Sequence, residues 1–237
     1  MIPILACIVI EPGTVFRIKN RRPPMSVNDC LIGTIYRSFF RNRIGKAYFE
    51  SVTLLLFRNN MGPKAEVNPI WACRAFPAFP VVLVAVGDGQ EGGERNVMTV
   101  ALVHMFSFNP PVLGVGVSPS RHTYSLLEKY PDFSINIPCK ELVEEVLYCG
   151  QKSGRDVNKF EECGLGCRKG TKIDSPVLDE CMVNLEMKKT QKVEAGDHVW
   201  FLGEVVHAEM ESCADKDRAL LYWSGEFRLI GDVIRRR

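Results

Sequence analysis

The segment that decides the fold is NVMTVALVHMFSFNPPVLGVGVSPSRHT, residues Asn96–Thr123. Its first part, Asn96–Val103, and a later part, Val112–Val117, are rich in β-branched and apolar residues, which predicts two buried strands. A loop carrying Asn109-Pro110-Pro111 separates them. Two glycines, Gly114 and Gly116, leave the second strand without side chains at these positions, so that a flat ligand has room against its backbone.

The turn directly after the second strand collects groups that bind anions. Ser118, Ser120 and Thr123 supply hydroxyls, and Arg121 supplies a guanidinium. Tyr124–Tyr130 is predicted to be a short helix that a proline stops. Hydroxyls, a guanidinium and a helix N-terminus at one corner suit a phosphate. The alternative interpretation is a helix N-cap beside an exposed arginine.

The rest of the chain after residue 75 also favours a β-rich domain with short helices. An apolar run followed by a glycine-rich turn predicts a hairpin that leads into the Asn96 strand. The predicted strands are Val81–Val86, Asp132–Ile137, Cys181–Lys188 and Gly196–His207, with a closing hairpin over Leu220–Gly231. Lys140–Tyr148 has its apolar residues on one side and is predicted to be an amphipathic helix.

Composition and charge limit the classes of protein to consider. The 237 residues, 46% of them hydrophobic, suffice for one substantial globular domain. The net charge of +2 is unevenly distributed. Residues 1–60 contain nine Lys or Arg and three Asp or Glu, whereas the remainder contains 21 Lys or Arg and 25 Asp or Glu. This leader has no compact basic run, and the apolar opening Met1–Ile10 is too short to span a bilayer. We therefore expect no nucleic-acid partner, no membrane partner and a cytoplasmic location.

Nine cysteines are scattered along the chain, which has no secretory signal pattern, and we expect most of them to be reduced thiols. Cys163 and Cys167 form a C-x3-C pair, and Cys149 precedes them. Metal sites usually use tighter CxxC pairs with further partners. We expect no metal here and a structural or incidental role for these three cysteines.

Four motifs together resemble the flavin reductase-like family of FMN-binding split barrels. They are N-x-x-T-x-A from Asn96, S-x-x-R-x-T from Ser118, G-x-x-S-G-R-D-x-x-K-F from Gly150, and G-D-H from Gly196. The resemblance covers roughly residues 70–231. It implies a mainly β protein, a split β-barrel with flanking short helices, whose cofactor is FMN and whose usual assembly is a homodimer.

The resemblance also implies which residues form the site. The strand at Asn96 touches the flavin ring, the turn holds the FMN phosphate, and the Gly150 loop lies nearby. The implied cofactor-binding residues are Asn96, Val97, Met98, Thr99, Val100, Ala101, Ser118, Ser120, Arg121, Thr123, Asn136, Ser153 and Lys159. The implied catalytic residue is His198, whose imidazole can donate or accept a hydrogen bond near neutral pH.

Each of these assignments has a structural alternative. Ser153 suits a helix-capping loop with Arg155 and Lys159 in solvent. A strand histidine such as His198 also suits a purely structural role. The motif does not separate the two interpretations for any single residue.

The expected function is electron transfer through FMN. No Gly-x-Gly-x-x-Gly lies between a strand and a helix, so NADH or NADPH would dock transiently over the flavin as a small-molecule donor. The first hypothesis is an NAD(P)H-dependent flavin or ferric reductase, and the second is a flavoredoxin-like electron carrier supplied by a redox protein. A module that only stores or senses flavin is the third.

Residues 1–60 are expected to be an N-terminal extension of uncertain structure that is separate from the domain at 70–231. Their charge balance differs from that of the remainder, no hydrophobic periodicity runs through them, and every motif lies after them. A second possible start residue, Met61, follows this extension.

Overall fold

The computed structural model describes residues 64–73 and 75–235. The expected N-terminal extension at residues 1–60 lies outside the described residues. From Val67 onward the chain forms one unit. No helix among the described residues has the length and apolar character needed to cross a membrane.

Twelve strands, four α-helices and two short 3₁₀ turns make up this unit. The strands are β1 Phe79–Pro80, β2 Val82–Gly87, β3 Arg95–Val100, β4 Val103–Phe108, β5 Pro111–Val117, β6 Asp132–Ile137, β7 Cys167–Lys169, β8 Pro176–Leu178, β9 Val183–Ala195, β10 His198–Met210, β11 Leu221–Trp223 and β12 Glu226–Arg228. The helices are α1 Pro69–Cys73, α2 His122–Lys129, α3 Val143–Gln151 and α4 Lys159–Glu162, and the 3₁₀ turns are Lys140–Leu142 and Lys216–Arg218.

Seven of these strands form one antiparallel sheet in the order β3-β2-β6-β9-β10-β5-β4. The two strands at its ends, β3 and β4, are consecutive in the chain and are joined by only Ala101 and Leu102. So short a link forces the sheet to curl until its ends meet. The backbone N–H of Gly116 in β5 donates to the carbonyl of Leu102 at 2.7 Å, so β5 pairs with this link as well as with β4. The sheet is therefore a barrel.

Strand β2 lies at the centre of the packing because both of its faces are buried. Val84 and its neighbours two residues away pack inside the barrel with Phe133 and Phe201. Leu83 and Ala85 point the other way and pack under the helices. Burying each such side chain stabilises the fold by about 1.5–3 kcal/mol, which explains why this stretch is uniformly apolar.

Helices α3 and α4 cover the outer face of β2 and β3. Val146 and Cys149 of α3 and Phe160 of α4 belong to the second apolar core, with Val97 of β3 beneath them. The Thr99 hydroxyl fastens the layers together by donating to the carbonyl of Val146 at 2.5 Å. This packing fixes the edge of β3 beside the end of α3.

Most of the predicted elements are present, and three boundaries are corrected. The strand predicted to run from Asn96 to Val103 ends at Val100, and Val103–Phe108 is a strand rather than part of a loop. Strand β9 continues to Ala195 although its second half is polar and exposed. Its hairpin partner β10 satisfies the backbone there, and Gly196 adopts the positive φ of 65° that the tight turn needs.

Candidate functional site

Three adjoining cavities form a groove along β3. The inner cavity, of about 560 Å³, and the middle cavity, of about 200 Å³, share Met98, Thr99, Arg121 and the end of α3. The middle cavity shares Asn96 and other residues with an outer cavity of about 840 Å³. Because neighbouring cavities share walls, one extended ligand can occupy more than one of them.

The middle cavity is built where the turn after β5 meets the start of α2. Ser120, Arg121 and Thr123 line it on one side, and the loop with Ser153 and Arg155 lines it on the other. The Arg155 guanidinium donates to the carbonyl of Ser120 at 3.2 Å and ties the loop to the turn. The first N–H groups of a helix such as α2 and its dipole favour an anion at this place.

Lys159 brings a buried positive charge to the same cavity. Its side chain is among the buried charged groups, with the residue only 3% exposed. The ammonium donates to the carbonyl of Val97 at 2.9 Å and to that of Cys149 at 2.8 Å. Burial lowers the pKa of Lys159, and the charge on Arg121 lowers it further. The interpretation that places this lysine in solvent is wrong.

The electrostatics of the middle cavity are those of an anion site. Burial lowers the pKa of His122, and the positive charge of Arg155 adds to this effect. Lys159 acts on His122 in the same direction. Such mutual repulsion among cationic groups destabilises their charged forms unless a negative charge lies among them.

The inner cavity has a different character, because apolar side chains and backbone line most of it. Met98–Leu102 forms one wall, Val146 and Leu147 of α3 form another, and the closing hairpin contributes Tyr222 and Phe227. A planar ring can lie against the backbone of β3 here, since Thr99 turns its hydroxyl away toward α3.

His198 lines this inner cavity at the first position of β10. Its side chain is 32% exposed, and its Nδ1 lies 2.8 Å from Oδ1 of Asp197. This pair lowers the pKa of the Asp197 carboxyl through the hydrogen bond with His198. The carboxylate orients the imidazole at the mouth of the cavity.

Comparison with known proteins agrees with this geometry. The family model described as "Flavin reductase like domain" matches residues 74–231. The chain belongs to this family. A protein of Archaeoglobus fulgidus is 39% identical over 129 residues, which cover 54% of this chain and 72% of that protein.

Two further similarities bear on the fold and the class of the flavin reductase-like chain. A flavin reductase of Pseudomonas putida is 24% identical over 164 residues, covering 69% of this chain and 91% of that protein. The crystal structure of flavoredoxin from Methanosarcina acetivorans has a TM-score of 0.65 and 27% identity, covering 74% of this chain and 95% of that one. The expected mainly β split barrel with flanking short helices is confirmed.

The flavin reductase-like fold brings most of the predicted site residues into one groove. Those that line it are Asn96, Met98, Thr99, Val100, Ala101, Ser120, Arg121, Thr123, Ser153, Lys159 and His198. Asn96 and Thr123 are nearly fully buried, and the Asn96 amide donates to the Thr123 hydroxyl at 2.8 Å. They hold β3 and α2 together at the wall of the middle cavity.

Three predicted residues do not line the groove. Asn136 is fully buried, and its amide donates to the carbonyl of Leu83 at 3.0 Å while its oxygen accepts from the Asn184 amide at 2.7 Å. The structure corrects its assignment from cofactor contact to a bond between strands. The Val97 side chain lies in the core, and only its carbonyl faces Lys159. The Ser118 hydroxyl lies 3.1 Å from that of Ser120.

Some groove residues carried no assignment from the sequence. Gln151 lines both the inner and the middle cavity, and Tyr222 and Phe227 line the inner one. The last two lie in the predicted closing hairpin over Leu220–Gly231, and the sequence analysis gave that hairpin no part in the site. Gly154 is needed because a Cβ there would lie 2.2 Å from Oδ1 of Asn96.

A cluster of possible metal ligands lies outside this groove. Glu186, His207 and Glu209 bring one ligand atom each to within 4.8 Å of one another. However, the Glu186 carboxylate accepts from the backbone N–H groups of Thr171 and Lys172, at 2.8 and 2.6 Å, and Glu209 pairs with Arg168. These carboxylates already have partners within the fold.

Proposed function

We propose that this protein binds FMN in the groove and transfers electrons through it, with NADH or NADPH as the donor. One observation carries the proposal: a cationic middle cavity opens directly into a largely apolar inner cavity along the same strand. A ligand with an anionic end and a flat ring matches both parts at once.

The donor set of the middle cavity fits the FMN phosphate. Arg121 supplies a guanidinium, Ser120 and Ser153 supply hydroxyls, and α2 supplies its N-terminus. Lys159 contributes charge from behind the cavity wall. Burial lowers the pKa of His122 and Lys159, and neighbouring cations lower it further; a phosphate offsets this cationic repulsion.

The walls of the inner cavity fit the ring. Met98–Ala101 presents strand backbone and a methionine side chain to one edge of the cavity, and Leu147 and Phe227 supply apolar surface. A bound flavin supplies the electron-transfer chemistry. The residues of this chain orient the ring, exclude water from its barrel side and, at His198, place an imidazole able to hold a proton.

The donor distinguishes a reductase from a carrier. The similarity to a flavin reductase of Pseudomonas putida supports an enzyme that oxidises NADH or NADPH and reduces a flavin or ferric iron. The similarity to a flavoredoxin supports an electron carrier fed by a redox protein. Because His198 lines the inner cavity with its side chain 32% exposed, we propose that a nicotinamide approaches the ring from this side, and we favour the reductase.

The deciding experiment is anaerobic reduction of the purified protein, followed by its visible absorbance. Rapid loss of the oxidised flavin spectrum on adding NADH or NADPH supports the reductase. A spectrum that stays oxidised until a reduced ferredoxin-type protein is added supports the carrier instead. A protein that acquires no flavin when mixed with FMN contradicts the whole proposal.

The proposal includes a homodimer in the cytoplasm. Strand β4 is an end strand in the order of the seven-stranded sheet, and its Phe106 and Phe108 are 52% and 86% exposed. Exposed apolar side chains on one strand suit an interface with a second copy. Nine cysteines scattered through a mid-sized chain suit reduced thiols and a reducing compartment.

A further inference from the structure

Two cysteines beside the groove are in direct contact. The Sγ atoms of Cys149 and Cys163 lie 4.0 Å apart. Cys149 is in the last turn of α3, and Cys163 caps the C-terminus of α4. A disulfide needs an S–S distance of about 2 Å, so a modest approach of the two helix ends joins them.

The surroundings of this pair differ from those of an ordinary buried thiol. Cys149 is buried, whereas Cys163 is only partly covered and can be reached by a small reagent. Glu145 is near enough to raise the pKa of both thiols, and its Oε2 is buried without a hydrogen-bond partner among the described residues. A buried, unpartnered carboxylate oxygen beside a thiol disfavours the thiolate.

The pairing is not the one that the C-x3-C spacing indicates. Cys167 lies on β7, where burial raises the pKa of its thiol and the charge of Arg95 opposes this effect. The sulfur in contact with Cys163 comes instead from Cys149, fourteen residues earlier. The three-dimensional contact, rather than the spacing, therefore defines the pair.

We propose that Cys149 and Cys163 form an oxidisable dithiol that a small aliphatic disulfide converts into an intramolecular disulfide. The Cys163 thiolate attacks one sulfur of the reagent, forms a mixed disulfide and releases the first small thiolate. The Cys149 thiolate then attacks the Cys163 sulfur and releases the second. The two cysteines are oxidised and the reagent is reduced. The protons that the two cysteines lose pass through solvent to the two departing thiolates, so that two small thiols leave.

The charges around the pair keep it reduced until such a reagent arrives. Burial raises the pKa of Cys149 to about 12 and raises that of Cys163. Glu145 faces both thiols and Glu162 faces Cys163, while Lys159 opposes them by favouring the thiolates. Since the thiolate is the nucleophile, oxidation should become faster as the pH rises.

The disulfide would act on the groove through the loop it closes. The loop from Gly150 to Glu162 carries Ser153 and Arg155 of the middle cavity and Lys159 behind it. A crosslink between its two ends restricts its opening. The disulfide therefore slows release of the phosphate-bearing ligand; this consequence rests on the proposed FMN site, whereas disulfide formation does not.

The first test measures disulfide formation in the full-length protein without added flavin. After incubation with oxidised glutathione, intact mass spectrometry should show the loss of two hydrogen atoms, and peptide mapping should link Cys149 to Cys163. Cys149→Ser should stop at the glutathione adduct on Cys163. Cys167→Ser, the control, should still form the crosslink. A native protein that stays reduced, or a crosslink between other cysteines, overturns the pairing.

The second test separates the charge beside the pair from the coupling to the groove. Glu145→Gln removes a negative charge that raises the pKa of both thiols, so it should speed crosslinking several-fold, with Glu144→Gln, an exposed neighbour on the same helix, as the matched control. Equal rates in the two variants overturn the role of Glu145. With FMN bound, the oxidised protein should release it more slowly than the reduced one. Equal release rates overturn the coupling, and absence of FMN binding overturns the proposed function while leaving the disulfide intact.

Discussion

Arg121 and Arg155 both line the middle cavity, and they differ in how they are held. The Arg155 guanidinium already donates to the Ser120 carbonyl at 3.2 Å. A charge-assisted hydrogen bond contributes about 1.5–3 kcal/mol, so we expect Arg121→Ala to weaken FMN binding by roughly ten- to a hundredfold. Fluorescence titration of the apoprotein measures this. Arg155→Ala, the matched variant, should lose less affinity, and unchanged affinity in a folded Arg121→Ala protein contradicts the phosphate assignment.

His198 should affect reduction of the flavin more than its binding. The imidazole lies at the mouth of the inner cavity, held by Asp197 at 2.8 Å, while the proposed phosphate contacts are elsewhere. His198→Ala should therefore retain bound flavin and show slower reduction by NADH or NADPH in stopped-flow measurements. Asp197→Asn keeps the imidazole but weakens the contact that orients it. The flavin in this variant should therefore be reduced at a rate between those of the native protein and His198→Ala. Loss of flavin with a normal rate in the remaining holoprotein would show a structural role.

The Cys149 thiol should make the fold sensitive to alkaline pH. Burial raises its pKa from 9.0 to about 12. The folded protein keeps this proton where the unfolded chain has lost it, so the stabilisation is complete below about pH 9 and is lost as the pH rises toward 12. Under reducing conditions, the urea midpoint should fall above about pH 9. The fall should be shallower in Cys149→Ala, and parallel pH profiles for the two proteins would exclude this thiol as the cause.

At the scale of single elements, strand β4 leaves large apolar side chains uncovered. Phe106 packs edge-on against Trp200 at 5.6 Å, whereas Phe108 is 86% exposed. A charge at Phe108 costs a monomer little and disfavours burial in an interface. We expect Phe108→Glu to convert the proposed homodimer into a folded monomer, measured by light scattering during gel filtration.

The control for this strand is Met210→Glu, which places the same charge on another exposed apolar residue, at the end of β10. It should leave the assembly unchanged. A Phe108→Glu protein that remains dimeric would place the interface on another surface.

Sequence patterns predict well those elements whose burial is visible in their own run of residues. Strand β2 was found within one residue because both of its faces are apolar. Strand β4 was missed because its side chains are mostly exposed and only its pairing with β5 makes it a strand. The polar half of β9 likewise extends only because β10 pairs with it. Pairing with a neighbouring strand leaves no hydrophobic signature in a polar or exposed stretch.

The same distinction holds within the site. The turn at Ser118–Thr123 and the loop at Gly150 were predicted from their motifs, and the structure brings them together at the middle cavity. The family resemblance could not show that the Asn136 side chain forms its hydrogen bonds with neighbouring strands. Nor could spacing reveal the contact between Cys149 and Cys163, since the folded chain alone creates it.

At the scale of the whole molecule, the flavin chemistry should not require residues 1–60. The family match begins at residue 74, and the buried apolar core of the described residues begins at Val81. A protein that starts at Met61 should therefore be folded and bind FMN with the affinity of the full-length chain. Solubility, circular dichroism and FMN titration of both proteins measure this. An insoluble truncated protein, or one with much weaker FMN binding, would show that the extension belongs to the domain.

The link between the two end strands of the barrel has a consequence for how the protein fluctuates. The Gly116 N–H donates to the carbonyl of Leu102 in this link, and both residues also line the inner cavity. Any molecule packed there contacts the link and loses those contacts when β5 separates from it. By linkage, occupancy stabilises this pairing against local opening in proportion to the binding free energy lost on opening. The hydrogen-exchange protection of one amide, that of Gly116, therefore reports on both the ligand and the pairing of β5 with the link.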